Sequence, residues 1–438
     1  MGNKNMEIII NPSRSLWTGI VKRPVQDVTG LYKNVQDVLF EIKQNGREAL
    51  KKYTLQFDGI YMENFEVTEE EFTKAKKQTN PDLKKAINKA AKNIEKFHSA
   101  QKTEYNKIET SHGITCWQKA VPIEKVGLYI PGGTAPLFST VLMLAIPANV
   151  AGCRDIVLCT PPDKNGEIHP AILYASMVAN VKKIFKIGGI QAIGAMAFGT
   201  NPVQKVNKIF GPGNRYVTAA KQLVSMNDVA IDMPAGPSEV MVVADNTAKT
   251  EFIAADLLSQ AEHGIDSQVI LITDSKDIAK KVIKEINIQI ENIPRKKIAE
   301  ESLKSSMIIV MKDIKETRAL INEYAPEHLI LSTANYHKLA DKVINAGSVF
   351  LGNYTPESAG DYASGTNHTL PTNGWAKSYS GVNLDSFMKK ITFQEISEKG
   401  LESIGPTIEI MAEAENLASH KNAVSIRLKD LKANKRRT

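Results

Sequence analysis

The sequence has few features of a secreted, membrane-embedded or disulfide-bonded protein. Its 438 residues include only three cysteines, Cys116, Cys153 and Cys159, and none forms a CxxC pair. An odd cysteine count argues against a disulfide framework and favours a reducing cytoplasm. The first residues lack the apolar run of a signal peptide, and the most apolar stretch, 141–150, is too short to span a bilayer. We therefore expect a cytoplasmic protein without a membrane partner.

An excess of charge is also missing. The formal net charge is +7, with 24% charged residues, and the basic tail 432–438 contains no aromatic side chain. A nucleic-acid surface usually combines both features, so we expect a solvated tail and no nucleic-acid partner. The 42% of hydrophobic residues can build packed cores, and the length exceeds that of one ordinary domain.

Strands and helices alternate from Val126 to Leu351. The predicted strands are at 126–131, 155–160, 183–187, 208–210 and 229–233, and then at 239–244, 268–273, 307–311, 328–332 and 348–351. This pattern predicts an α/β protein with two tandem Rossmann-like, incomplete parallel-sheet domains. Helices at 34–46 and 81–98 and a strand at 113–122 precede it, and a helical segment without strands follows Ser378.

Glycines follow several strands of the first predicted sheet, at Gly132–Gly133, Gly188–Gly189 and Gly211–Gly213. Such positions allow a phosphate to approach backbone N–H groups at the carboxyl edge of a parallel sheet. Ordinary turns explain any single pair equally well. A GxGxxG fingerprint after a strand is absent, so the glycines favour a nucleotide only modestly.

Four polar segments lack an evident structural purpose: 259–264, 325–328, 358–368 and 414–421. Our hypothesis is that they converge on one metal ion and its substrate. Gln260 and His263 share a face of a predicted helix, and imidazole with carboxylate and amide oxygens suits zinc. The alternative is that such a histidine is only a structural residue. Asp361 lies in a predicted loop, and Glu415 and His420, five apart, do not share one helical stripe.

The pair Glu327–His328 stands at the start of the predicted strand 328–332. A polar pair beside a buried strand is costly unless it is hydrogen-bonded, so the pair is either fully bonded or catalytic. An acid next to an imidazole offers two groups that exchange protons near neutral pH.

Across residues 25–427 the chain resembles the histidinol dehydrogenase family. The segments that carry the resemblance are 126–133, 209–214, 231–239, 256–264, 326–329, 357–368 and 420–424. It implies oxidation of L-histidinol to L-histidine in two NAD-dependent steps through L-histidinal, the last step of histidine biosynthesis. It also implies one Zn²⁺ per subunit and a homodimer in which the C-terminal arm reaches the other subunit.

The resemblance assigns a role to each candidate residue. It implies that Glu327 and His328 are catalytic, the histidine as the base for the alcohol proton and the glutamate as the group that activates water. The implied zinc ligands are Gln260, His263, Asp361 and His420. The implied substrate contacts are Ser238, Gln260, His263, His328, Asp361, Glu415 and His420, and the implied NAD contacts are Tyr129, Gln191 and Asn214. The role of His368 stays open.

We expect four segments: an N-terminal arm (1–25), a first α/β domain with most metal and substrate residues (26–125 and 239–378), an NAD-binding α/β domain (126–238) and a C-terminal helical arm (379–438). Two other classes of function remain. A zinc hydrolase would use a similar His/Asp site without a nucleotide, and a nucleotide-binding scaffold would not need Glu327 and His328. A cysteine-nucleophile aldehyde dehydrogenase is disfavoured, because Cys116 has no base nearby in the sequence.

Overall fold

The computed structural model describes residues 6–24, 29–132, 135–234 and 236–435. Gly133, six residues of the predicted N-terminal arm (1–5 and 25) and the last three residues of the basic tail lie outside these ranges. The chain divides into two compact units, one of residues 1–101 and 123–387 and the other of residues 102–122 and 388–438. None of the described helices is both long enough and apolar enough to cross a membrane.

The described strands fall into two parallel sheets and one antiparallel sheet. In chain order they are β1 (Glu7–Ile10), β2 (Ile108–Ser111), β3 (Ile114–Pro122), β4 (Lys125–Tyr129), β5 (Asp155–Thr160), β6 (Lys183–Lys186), β7 (Lys208–Phe210), β8 (Ala230–Ile231), β9 (Glu239–Ala244), β10 (Gln268–Thr273), β11 (Met307–Val310), β12 (His328–Ser332), β13 (Ser348–Leu351) and β14 (Met388–Ile396).

Helices cover both parallel sheets and form most of the second unit. They are α1 (Arg14–Ile20), α2 (Tyr32–Asp58), α3 (Glu69–Gln78), α4 (Pro81–Ser99), α5 (Phe138–Ala151), α6 (Pro170–Val178), α7 (Gly189–Phe198), α8 (Arg215–Ser225), α9 (Thr250–Ala261), α10 (Lys276–Gln289), α11 (Lys296–Ser302), α12 (Ile314–Tyr324), α13 (Tyr336–Ala340), α14 (Glu357–Tyr362), α15 (Glu398–Ala414) and α16 (Ala418–Lys435).

The five-stranded sheet has the order β6-β5-β4-β7-β8, and all its neighbours are parallel. Helices α3 to α6 pack on one face, and α2, α7 and α8 pack on the other. Side chains alternate between the two faces, so that Leu128 joins the first core and Tyr129 the second. Because both faces are covered, the strands are apolar along their whole length, which is why the sequence reveals them clearly.

The six-stranded sheet has the order β1-β11-β10-β9-β12-β13, again with parallel neighbours only. Helices α9, α10 and α11 cover one face, while α1, α12 and α13 cover the other. Apart from the added β1, the strand order repeats that of the five-stranded sheet. The two tandem Rossmann-like sheets predicted from the sequence are thus confirmed.

Helices α2, α3 and α4 bury their apolar side chains against the five-stranded sheet. Local signals fix their bounds: Thr68 and Glu71 form a capping box at α3, and Asn80 caps α4 just before Pro81. The sequence instead grouped residues 26–125 with the six-stranded sheet, because apolar spacing does not say which sheet a helix covers. The predicted domain boundaries stay a prediction.

The second unit contains an antiparallel sheet of order β14-β3-β2, and α15 and α16, which pack together. The strand predicted at 113–122 is confirmed, but the prediction of no strands after Ser378 is wrong. All nine residues of β14 pair with β3 from Ile114 to Pro122. Its side chains are mostly exposed, so no alternation of burial marks it as a strand in the sequence.

Two local predictions near polar residues are also wrong. Asp361 lies in the short helix α14 rather than in a loop. Helix α9 ends at Ala261, so His263 follows the helix instead of sharing its face with Gln260. At Gly46 the prediction agrees with the structure: its φ of 51° is not helical, so the first helical segment of α2 ends there and a second one follows the kink.

Candidate active site

The pair Glu327–His328 lies at the amino end of β12, next to the amino end of β9. Glu327 Oε2 accepts the backbone N–H of Glu239 at 2.8 Å, and His328 Nδ1 lies 3.2 Å from the carbonyl oxygen of Glu239. A carbonyl can only accept, so Nδ1 carries a proton, whereas Nε2 has no hydrogen-bond partner among the described residues. Both side chains are almost fully buried. The backbone of β9 therefore fixes the pair in one orientation.

Buried polar side chains from α9 and α14 complete a cluster around His328. Ligand atoms of His328, Glu357 and Asp361 lie within 4.8 Å of one another, and His328 Nε2 lies 3.6 Å from Asp361 Oδ1. Gln260 Nε2 is 3.3 Å from Glu327 Oε2. Three atoms here are buried without a hydrogen-bond partner among the described residues: Gln260 Oε1, His328 Nε2 and Glu357 Oε2. Unpaired buried atoms at one place indicate a site for a ligand.

The carboxylates give this cluster a negative electrostatic potential. Burial lowers the pKa of His328, but the carboxylates of Glu357, Glu327 and Asp361 outweigh it and raise that pKa well above its usual value. Burial and neighbouring carboxylates raise the pKa of Glu357 to about 8, and burial raises the pKa of Asp256 to about 7. So many acids near one imidazole are typical of a cation-binding or catalytic site.

A buried ion pair between Arg23 and Glu239 lies next to this cluster. Arg23 donates to both carboxylate oxygens of Glu239, from Nε at 2.5 Å and from Nη2 at 2.9 Å. The same Nη2 donates to the carbonyl of Tyr324 at 2.6 Å, and the guanidinium lies 3.8 Å from the centre of the Tyr324 ring. Because Glu239 supplies the backbone groups that hold Glu327 and His328, this ion pair positions the catalytic candidates.

His368 links α14 to α5. Its Nδ1 lies 2.9 Å from the carbonyl oxygen of Asp361, and its Nε2 lies 3.1 Å from Thr140 Oγ1. The first contact places the proton on Nδ1, so Nε2 accepts from the hydroxyl. Burial lowers the pKa of His368 despite the nearby Asp361, which keeps the ring neutral. His368 therefore positions the backbone of Asp361, a role that the sequence left open.

A large cavity lies at the carboxyl edge of the five-stranded sheet. Its volume is about 970 Å³, and Tyr129, Asn214, Gly132 and Gly189 are among its lining residues. The Tyr129 hydroxyl accepts the N–H of Gly189 at 3.1 Å, and Asn214 caps α8 through its Oδ1. This position and size are those of nucleotide sites in open parallel sheets.

Gln191 lies beside this cavity and is fully buried. Its Nε2 donates to Asp58 Oδ2 at 2.9 Å, while its Oε1 has no hydrogen-bond partner among the described residues. Asp58 lines the cavity, and burial raises its pKa to about 6. The structure thus brings Tyr129, Gln191 and Asn214 to one edge of the sheet.

The remaining candidates from the sequence are Ser238, His263, Glu415 and His420. Ser238 lies in the loop before β9, where its carbonyl accepts the N–H of Gln268 at 3.1 Å. His263 is exposed just after α9, yet its imidazole helps to lower the pKa of Asp361 against the effect of burial. Glu415 and His420 belong to the second unit, exposed at the end of α15 and the start of α16. They therefore lie on two helices, not on one.

Sequence reasoning missed four residues of this region: Arg23, Asp58, Asp256 and Glu357. Two were within reach, because Asp256 precedes Gln260 by four residues and Glu357 precedes Asp361 by four, the spacing of one helix face. No sequence pattern marks Arg23 or Asp58, since each meets its partner only through the tertiary fold.

The free cysteines take no part in this chemistry. None of the three forms a disulfide, and Cys153 and Cys159 are buried. Burial raises the pKa of the Cys153 thiol to about 12, so it is inert as a nucleophile. This finding agrees with the prediction that disfavoured a cysteine-nucleophile enzyme.

Two Rossmann-like sheets, one with a large cavity and the other with a buried imidazole–carboxylate cluster, place the chain among the α/β enzymes that act on small molecules. The family model for histidinol dehydrogenase matches residues 21–428. The chain therefore belongs to the histidinol dehydrogenase family and is an oxidoreductase, as the resemblance predicted.

Individual relatives agree over almost the full length. The histidinol dehydrogenase of Bacteroides thetaiotaomicron is 60% identical over 427 residues, covering 98% of this chain and 100% of the relative. That of Escherichia coli K12 is 50% identical, covering 91% and 92%. The crystal structure of histidinol dehydrogenase from Elizabethkingia anophelis has a TM-score of 0.96 at 56% identity, covering 98% and 99%.

Proposed function

We propose that this protein oxidises L-histidinol to L-histidine in two successive NAD-dependent steps through L-histidinal, the last step of histidine biosynthesis. The observation that carries the proposal is the buried Glu327–His328 pair in a full-length member of the histidinol dehydrogenase family. Conversion of a primary alcohol to a carboxylate removes four electrons and adds one water oxygen. The site must therefore hold a base for the alcohol proton and a group that activates water.

His328 is the base in this proposal. With the proton on Nδ1 held by the carbonyl of Glu239, Nε2 is available to take the alcohol proton. The surrounding carboxylates raise the pKa of His328, which favours the charged ring in the protein alone. A bound divalent cation would oppose that field and bring the pKa of His328 closer to the range that a base needs.

Glu327 activates water for the second step. Its Oε2 is held by the N–H of Glu239 and faces the amide of Gln260, whereas its Oε1 has no hydrogen bond to another described residue. The free oxygen can take a proton from water as the water attacks the aldehyde carbon. The hydrate that results carries the C–H bond broken in the second oxidation.

The donor set fits zinc. Gln260 Oε1 is buried and unpartnered, and ligand atoms of Asp361, Glu357 and His328 lie within 4.8 Å of one another. We propose Gln260, His263, Asp361 and His420 as the ligands, a mixed nitrogen and oxygen set of the kind that zinc accepts. Zinc, when bound, would polarise and orient the substrate through its imidazole and amine. Ser238 and Glu415 would add further substrate contacts.

The cavity of the five-stranded sheet is the proposed NAD site, with Tyr129, Gln191 and Asn214 as contacts. NAD, when bound, supplies the acceptor for the hydride in each step. The unpartnered Gln191 Oε1 supports this assignment, because Asp58 holds the amide in one orientation beside the cavity. Gly132 and Gly189 have no side chains, so their backbone lines the cavity directly.

We further propose a homodimer in the cytoplasm with shared active sites. The second unit has a sparse core, and many of its large apolar side chains are exposed, among them Ile410 at 69% and Met411 at 61%. Such a surface needs a partner. If the arm of a second copy covers it, Glu415 and His420 would enter the site of the neighbouring subunit.

The test of the reaction is a count of NADH formed from a limiting amount of L-histidinol. Two NADH for each L-histidinol, with little free aldehyde, is the expected result. One NADH with accumulating aldehyde would contradict the assignment of Glu327, and no NADH would contradict the function. Glu301→Gln, at an exposed position on α11, is a matched control for substitutions of Glu327.

Sharing of the site is tested by mixing two inactive variants, His263→Ala and His420→Ala, under conditions that exchange subunits. By symmetry, random exchange should restore about a quarter of wild-type activity, because half of the dimers would be mixed and each would have one intact site. If each chain completes its own site, no activity should return although mass spectrometry shows exchange.

A further inference from the structure

A second cavity lies at the carboxyl edge of the six-stranded sheet. Its volume is about 510 Å³, and the residues that follow β9, β10, β11 and β12 line it. The chain proceeds from β9 through β10 to β11 on one side, and then crosses to β12 on the other side of β9. Ligands of open parallel sheets bind outside the carboxyl ends of the strands where the order reverses in this way.

The charge of this cavity is positive. Its lining has five basic side chains, Lys312, Lys315, Arg318, Lys338 and Lys342, and two acidic ones, Asp245 and Asp274, which leaves a formal charge of +3. None of the five basic groups forms an ion pair with another residue in the part of the chain that the structure describes. They are therefore free to bind an anion.

One of the two acidic groups of the lining, Asp245, is engaged by hydrogen bonds. Asp245 accepts the N–H groups of Ala334 and Thr247, at 2.8 and 2.9 Å, and the Thr247 hydroxyl at 2.5 Å. Just outside the cavity, Asp313 accepts the N–H of Lys315 at 2.7 Å, and Glu316 pairs with Arg14. These hydrogen bonds and this ion pair occupy carboxylate oxygens that could otherwise pair with the lysines of the cavity.

The floor of the cavity is apolar. Buried side chains from β9, β10 and α13 and from the residue after β11 form it, namely Val243, Ile272, Leu339 and Met311. Thr333 and Asn335 add uncharged polar groups at the rim. A ligand that fills this space must carry both negative charge and a flat or apolar group, and the volume lies in the range of small-molecule sites.

We propose that this cavity binds a nucleoside diphosphate or triphosphate, with its phosphates on the lysines and arginine and its base on the apolar floor. The site is separate from the proposed catalytic pair. His328 begins β12 and Thr333 follows its end, so the two lie roughly 16 Å apart along the strand at 3.3 Å per residue. The proposal does not depend on the proposed reaction.

The experiment is calorimetric titration of the full-length protein with ADP, at low and at moderate salt. Lys312→Gln combined with Lys338→Gln should weaken ADP binding at least tenfold, and added salt should weaken wild-type binding, because both remove or screen the positive field. The matched control is Lys280→Gln combined with Lys284→Gln, two exposed lysines of α10, which should leave binding unchanged.

A parallel titration with inorganic phosphate identifies the part of the ligand that binds. Weaker binding of phosphate than of ADP supports a nucleoside on the apolar floor. Equal affinities, absence of ADP binding, or ADP binding that the lysine pair does not affect would each overturn the proposal. NADH formation and the melting temperature of each variant show separately that the protein is folded, so failure of the proposed reaction would be recognised independently.

Discussion

The two parallel sheets share one strand order but place their buried polar groups at opposite edges. In the five-stranded sheet the glycines, the large cavity and the Asp58–Gln191 contact lie beyond the carboxyl ends of the strands. In the six-stranded sheet Glu239, Glu327 and His328 lie at the amino ends. Strand order alone therefore does not decide at which edge buried polar groups gather; the residue types at each edge do.

Two buried ion pairs lie at the same two edges as these polar groups, one pair in each sheet. Lys221 and Asp232, both nearly inaccessible, follow β7 and β8 at the carboxyl edge, where Lys221 also donates to the carbonyl of Gly211 at 2.8 Å. Arg23 and Glu239 lie at the amino edge of the other sheet. Each pair supports the edge at which a site is proposed, which suggests that each stabilises the loops of that site. Five predictions test this comparison.

Removal of metal should have the largest effect. If Gln260, His263 and Asp361 hold the proposed zinc ion, a chelator should abolish NADH formation, because the substrate would lose the ion that orients it. Both sheets should stay folded, since neither core depends on the ion. Activity and the far-ultraviolet circular dichroism spectrum are measured together. His263→Ala should reduce the bound zinc, and full zinc content in this variant would rule out the ligand set.

Substitutions at the amino edge of β12 should separate the two oxidations. His328→Asn should slow oxidation of the alcohol, and Glu327→Gln should slow oxidation of supplied L-histidinal more than the first step, each by about 10²- to 10⁴-fold as for other acid–base groups. Single-turnover rates with each substrate provide the measurement. Equal losses on both substrates for both variants would refute the division of roles.

Loss of one member of a buried ion pair should destabilise either sheet. Lys221→Met and Arg23→Met should each cost about 3–5 kcal/mol in the free energy of unfolding, because each leaves a buried carboxylate without its partner. Urea unfolding measures the loss. The double variant Lys221→Met/Asp232→Asn should recover part of it; a double variant as unstable as the single one would show that charge is not the cause.

Arg23→Met should also lower activity, whereas Lys221→Met should weaken NAD binding instead. This crossed result follows from the two edges, because Arg23 supports the backbone of Glu239 and Lys221 supports the loop at Gly211. An identical kinetic defect in both variants would break the comparison between the sheets.

The smallest expected effect is a pH dependence at Asp58. Burial raises its pKa from the usual 3.8 to about 6. Between these values the native state binds more protons than the unfolded state, so wild-type stability should fall as pH rises through this window. Asp58→Asn keeps an acceptor for Gln191 but cannot titrate. The melting temperature of the wild type should therefore decrease relative to the variant from pH 4 to pH 7, and a constant difference would contradict the raised pKa.

Much of the fold could be predicted from the sequence because both sheets are covered on two faces. Strands such as β5, β9 and β12 are short apolar runs between turns, and their predicted bounds agree with the structure. By contrast β14 lies in a unit with little core, so its exposed side chains carry no pattern. A strand cannot be predicted from the sequence where its side chains are exposed, because burial is what selects apolar residues.

The candidate site divides in the same way. The sequence by itself determined the family, the tandem α/β architecture and the choice of Glu327 and His328 as the candidate pair, because these depend on local patterns and short motifs. Only the tertiary structure decided that Glu357 and Asp256 surround the pair, that Arg23 supports Glu239 from over 200 positions away, and that Asp58 holds Gln191. The physical reason is that a hydrogen bond or an ion pair acts over about 3 Å. No local pattern in the sequence shows which distant groups the packing of two sheets brings to that distance.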